Sequence, residues 1–183
     1  MALYFQSNIV GLLLVVLATA LSNALQPSVY SESGNYLYFP LGAIVLSYLL
    51  FEHKAIFGVF IGSILSGILF SDSWSSVGGY RFGLIESSIA VIAPYLAFLS
   101  MHKFELSPFF ANFKINFRHV VFFVILSSTY DAMFKFSHFL MVVESDINPS
   151  LLMRHYLLGE IIGGLIFVIL LLKLFDIFVK KLN

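Results

Sequence analysis

The chain has 183 residues, of which 60% are hydrophobic and only 11% charged, a balance that excludes an ordinary water-facing surface. Its ten basic and ten acidic residues cancel, so no overall field points to nucleic acid or to a strongly charged partner. Cysteine is absent, which removes disulfides, thiolate zinc sites, iron–sulfur clusters and cysteine nucleophiles.

The fold class that follows is all-α: a polytopic integral membrane protein, about six transmembrane helices in one bundle, with residues 1–183 as a single domain. Near the start, Leu3-Tyr4-Phe5-Gln6-Ser7 resembles the core of a protease site used to remove purification tags, which would make residues 1–7 a tag remnant. The apolar run behind it has no Lys or Arg before Lys54. It therefore lacks the basic flank of a secretory signal and reads as a retained helix.

In chain order the spans are Asn8 to Leu25, Tyr36 to Phe51, Ala55 to Ser71, Tyr80 to Met101, Arg118 to Val143 and Leu151 to Val179. The runs are continuously apolar rather than alternating at every second residue, which favours helices over a closed barrel. Turn chemistry gathers between them, at Gln26 to Ser28, Ser31 to Asn35, Asp72 to Gly79, Ser107-Pro108 and Asn148 to Ser150. No internal repeat interrupts the series. The second and third spans are separated only by Glu52-His53-Lys54 and are the least distinct pair.

With six spans, Lys54, Lys103, Lys114, Arg118, Lys180 and Lys181 fall on one side, and only Arg81 and Arg154 on the other. Short-loop basic residues favour the cytoplasmic face, so both termini are expected there. On the third span Gly58, Gly62 and Ser66 form a stripe of small residues, and Gly159, Gly163 and Gly164 another on the sixth. Such stripes let helices approach closely, by default within one chain and otherwise across a homo-oligomer face. Pro94 should kink the fourth span. The sixth exceeds the ~20 residues needed to cross hydrocarbon, and its charged end, with Lys173, Asp176, Lys180 and Lys181, reads as a solvated helix end or as a coupler to a cytoplasmic partner.

Ionisable residues concentrate in the outer halves of three spans. Arg81 and Glu86 open the fourth, and Arg154, His155 and Glu160 open the sixth. On the fifth, Asp131, Lys135 and His138 share one face at i, i+4 and i+7. A charge at the bilayer centre costs about 2.5 to 3.5 kcal/mol on insertion scales, so these groups are expected to turn inward and pair. Asp131 with Lys135, and Glu160 with Arg81 or Lys135, are the pairs the spacing suggests. Asn35, Tyr36, Tyr38, Trp74, Tyr80, Tyr130 and Tyr156 lie at the same level, where they serve either a ligand site or an interfacial belt. Candidate ligand contacts are thus Tyr38, Arg81, Glu86, Tyr130, Asp131, Lys135, His138, Arg154, His155 and Glu160. The charges of Arg81, Glu86, Asp131, Lys135, Arg154 and Glu160 sum to zero, as a zwitterionic ligand would match, while a set of register-fixing ion pairs is the competing reading. No histidine pair stands at metal-ligating spacing, and no nucleophile elbow or phosphate loop occurs, so neither a metal, a cofactor nor an enzymatic activity is expected.

Three stretches resemble a known family. Tyr38-Phe39-Pro40-Leu41-Gly42, followed by an apolar helix and the glycine-striped span, resembles the Trp-Pro-Pro-x-Gly segment of bacterial membrane-associated sensor domains of the first class. Arg154-His155-Tyr156-Leu157-Leu158-Gly159-Glu160-Ile161-Ile162-Gly163 is similar to that family's Gly-Asp-x-x-Gly segment, with Glu160 as the acidic residue. Gly83-Leu84-Ile85-Glu86 resembles its Glu-containing helix start. Tyr38 stands for the tryptophan and Phe39 for the first proline, and family members commonly have more spans. The resemblance implies a module of the bacterial cytoplasmic membrane, stand-alone or excised from ahead of a kinase or cyclase, in which Pro40, Gly42, Glu86, Gly159, Glu160 and Gly163 matter most. On it rests the expectation of a sensory, ligand-binding module: a small molecule enters an outward-facing cavity between the fourth, fifth and sixth spans and the sixth signals to a cytoplasmic partner. The alternative, from architecture alone, is the substrate-binding subunit of a vitamin-type membrane transporter.

Overall fold

A computed structural model describes residues 2–25, 37–70, 79–106, 109–111, 114–142 and 149–182. Asn35, Tyr36, Trp74, most of the turn clusters and the side chain of His155 lie outside the described residues. Among the described residues there are six α-helices: α1 (Ala2–Leu25), α2 (Phe39–Phe51), α3 (Ile56–Phe70), α4 (Gly79–Lys103), α5 (Phe117–Val142) and α6 (Pro149–Leu182). A 3-10 turn over Glu52–Ala55 joins α2 to α3. Two two-residue strands, β1 (Phe110–Ala111) and β2 (Lys114–Ile115), pair antiparallel in the connection from α4 to α5.

Among the described residues, five segments are long and apolar enough to span a membrane, α2 and α3 counting together as one stretch from Phe39 to Phe70. The register separates the two. Phe39 at the start of α2 meets Ser22 near the end of α1, whereas Ala55 lies against Gly11 and Gly58 against Asn8. Asn23 then meets Phe70 at the end of α3. So α2 descends antiparallel to α1 and α3 climbs back parallel to it. Each covers most of α1's depth with only 13 and 15 residues, fewer than the ~20 that span hydrocarbon alone.

All residues of α2 from Phe39 to Leu49 are buried. A helix apolar on every face belongs in an interior, and α2 is the bundle's centre, packed against α1, α4, α5 and α6. Its two polar side chains are satisfied: Ser47 donates to the Ala43 carbonyl at 2.8 Å, and the Tyr48 hydroxyl to the Val91 carbonyl of α4 at 3.1 Å. That contact lies one turn before Pro94, through which α4 continues as one helix. The outer faces carry apolar residues instead, among them Leu13 and Leu17 on α1 and Leu158, Ile162, Ile166 and Leu170 at four-residue steps on α6. That arrangement suits a hydrocarbon solvent.

Small residues set the closest approaches. A Cβ at Gly58 would overlap the Asn8 backbone, and one at Gly62 would stand 3.0 Å from the Leu12 carbonyl, so this stripe is the α1–α3 seam. Across the α2–α6 seam, a Cβ at Gly42 would meet the Gly164 carbonyl at 2.8 Å, and one at Gly163 would overlap the Tyr38 backbone. Pro40 occupies the first turn of α2, where its missing N–H costs nothing.

A buried ion cluster as the candidate functional site

α4, α5 and α6 run in alternating directions, so the start of α4, the C-terminal half of α5 and the start of α6 stand side by side. The beginning of α2 joins them: the Tyr38 N–H donates to the Gly159 carbonyl at 3.1 Å, a contact possible because Gly163 leaves room for the Tyr38 backbone. Four helices thereby deliver side chains to one place.

Lys135 is at the centre. Its Nζ lies 2.5 Å from Asp131 Oδ2, one turn back on α5, and donates to Glu160 Oε1 of α6 at 3.1 Å. The Tyr38 ring faces the ammonium at 5.3 Å and the Tyr156 ring at 5.9 Å, both within cation–π range. Asp131 is 0% exposed, Glu160 1% and Lys135 8%. Beside this core, His138 Nδ1 lies 3.4 Å from Glu86 Oε1, and its ring stacks on Phe82 at 4.8 Å.

The cluster is incompletely hydrogen-bonded. Oδ1 of Asp131, Oε2 of Glu160 and Nε2 of His138 are buried without a hydrogen-bond partner among the described residues. Lys135 holds Asp131 Oδ2 as an ion pair at 2.5 Å, so the acceptors left over are Asp131 Oδ1 and Glu160 Oε2. Buried polar groups left this way are costly in a low dielectric, which singles out the spot from the well-satisfied α2 interior.

Of the residues singled out from the sequence, Tyr38, Glu86, Asp131, Lys135, His138, Tyr156 and Glu160 are brought together. Three of the expected residues stand apart from this cluster. Arg81 and Arg154 are exposed rather than turned inward. Each stands near a helix start, where a long stem can carry the guanidinium away from the interior. Of the two partners expected for Glu160, it is Lys135 that meets it. Tyr130 points elsewhere: its hydroxyl lies 3.4 Å from Ser100 Oγ of α4 and its ring stacks on Phe134. With both arginines gone, the zero charge sum no longer describes the interior, where three carboxyl groups face one ammonium and one imidazole. Phe82 was not anticipated, although its i, i+4 spacing to Glu86 carries that signal. Among the described residues no three His, Asp or Glu side chains converge as a metal site.

Fold and site together define a polytopic membrane bundle with a mixed-charge cluster buried between its helices. Comparison with family models, with curated proteins and with solved structures yields no match.

Proposed function

We propose that the protein is a membrane-embedded, ligand-binding sensory module, its ligand a small molecule held at the Asp131–Lys135–Glu160 cluster. The carrying observation is the set of buried acceptors left without partners on Asp131 and Glu160. Ion pairs that served register alone are expected to close their hydrogen bonds on one another, whereas a binding site keeps some for its ligand. The cluster ties α5 to α6 through one lysine, so a ligand that competes for either carboxylate changes the contact between the helices. Only a difference in affinity between two packings converts binding into a signal, and α6 continues to the far end of the bundle as a 34-residue helix. The resemblance to sensor domains of the bacterial cytoplasmic membrane supports the same reading, and the collection of Lys54, Lys103 and Arg118 at one end supports a cytoplasmic placement of that end, with an output protein there as partner.

The test is a ligand screen by thermal shift in detergent, run in parallel on the wild type and on the Asp131→Asn/Glu160→Gln double variant. A compound at 100 times its Kd adds about 2.7 kcal/mol to the wild type and little to the variant. Equal shifts in both, or none in the wild type, remove the proposal. Saturable uptake of the hit by proteoliposomes would reassign the protein to transport.

A further inference from the structure

We infer that the ligand class of this site is an organic ammonium ion, a primary amine in its charged form, bound beside Lys135 by the unused oxygens of Asp131 and Glu160. The inference rests on the proposed binding role and specifies its chemistry. The first argument is donor and acceptor count. Asp131 Oδ1 and Glu160 Oε2 are buried without a hydrogen-bond donor of their own, and the two carboxyls stand close enough to interact, so one donor placed between them would serve both. An anionic ligand would face carboxylates, and a neutral acceptor would leave both oxygens as they are.

Charge gives the second argument. Glu86, Asp131 and Glu160 bring three acidic groups to the cluster, against Lys135 and the imidazole of His138. Arg81 and Arg154, the other cations at this level, have exposed side chains. A second cation between the carboxylates of Asp131 and Glu160 is therefore attracted where an anion is repelled.

The third argument is that the site already solves the recognition problem for one ammonium. Lys135 Nζ sits between two carboxylates and within 6 Å of two tyrosine ring centres, the surroundings a protein builds for a cationic amine. Tyr156 is 40% exposed while the ammonium that its ring faces is nearly covered. The chain's own lysine is thus a tethered member of the ligand class, and it competes with a free amine for the same oxygens.

The experiment titrates methylammonium, propylammonium and benzylammonium into detergent-purified full-length protein at constant ionic strength. Propanol and propionate serve as the size-matched neutral and anionic probes, and melting temperature is the readout. The wild type is expected to be stabilised saturably by at least one ammonium ion and by neither control. Glu160→Gln and Asp131→Asn should each weaken that binding by about thirtyfold or more, the loss attached to removing one member of a buried charge pair. Lys135→Ala should bind propylammonium more tightly than the wild type does, because the tethered competitor is gone. Should that variant not survive extraction, its yield of monodisperse protein in propylammonium is compared with that in propanol, and an equal yield overturns the inference. So does the absence of any ammonium-specific shift in the wild type. A neutral or anionic compound that stabilises the wild type but not Glu160→Gln would overturn the amine class while leaving the binding role intact.

Discussion

Lys135 holds two carboxylates on different turns and different helices, and the consequence of removing it differs from that of removing the whole set. Lys135→Met leaves Asp131 and Glu160 buried with no cation between them, and such an orphaned pair costs about 3–5 kcal/mol. Replacing all three by apolar residues removes the desolvated charges together and should recover most of that loss. Unfolding in mixed micelles with rising detergent denaturant measures both. A triple variant no more stable than Lys135→Met would mean that shape rather than charge governs the site. Tyr48 allows a smaller test: Tyr48→Phe keeps the ring and deletes only the bond to Val91, so about 1 kcal/mol should be lost in the same assay. At this scale the sequence was partly legible. The Asp131–Lys135 pair follows from helical spacing alone, but the partner of Glu160 depends on which helices adjoin. Arg81 shows the limit, because depth along a helix is readable from a sequence while the direction of a long side chain is not.

Helix ends are where a bundle in lipid is most exposed to error, since no water is present to satisfy a free N–H or carbonyl. α1 supplies three of these needs from its own side chains. Ser22 Oγ accepts from the Phe39 N–H at the start of α2, and Asn8 Oδ1 accepts from the Gly58 N–H in the first turn of α3 at 2.6 Å. Asn23 Nδ2 donates to the Phe70 carbonyl where α3 ends. Asn8, Ser22 and Asn23 of this apolar helix therefore act as caps for its neighbours, a role that no motif within α2 or α3 announces. Asn8→Ala should cost about 1 kcal/mol, the usual loss for a helix cap, and should raise hydrogen exchange in the first turn of α3 before it does so elsewhere. Gly163→Ala acts on a different seam: its methyl would run into the Tyr38 backbone, part α2 from α6 and cost about 1–3 kcal/mol by overpacking. The glycine stripes were visible from their four-residue spacing, but which helix each one faces was not. The pairing arises from the order in which the chain doubles back. The central position of α2 was equally hidden, because hydropathy ranks residues for lipid and for a protein interior in the same way.

Across the whole molecule, the decisive feature is the reversal at Glu52–Ala55. Composition allows the stretch from Phe39 to Phe70 to be read as one crossing, which would put the chain's two ends on opposite sides and leave His53 near mid-membrane. The packing against α1 makes it two antiparallel legs instead, with the 3-10 turn level with the beginning of α1 and exposed at His53. Glu52 there adopts φ 53° and ψ −138°, a positive-φ conformation outside the helical region that ends α2 and lets the chain reverse within four residues. Because the sequence has no cysteine, single thiols can be introduced without background. His53→Cys and Tyr80→Cys sit at opposite ends of the bundle, Tyr80 being on the first turn of α4 and exposed. In intact cells a membrane-impermeant maleimide should label Tyr80→Cys at once and His53→Cys only after permeabilisation, if the basic end is cytoplasmic. The reverse order would keep the hairpin but invert the protein. A His53 thiol unreactive under both conditions would instead mean that the turn lies in the hydrocarbon, and the up-and-down register that sets the ion cluster at one level of the bundle would have to be redrawn.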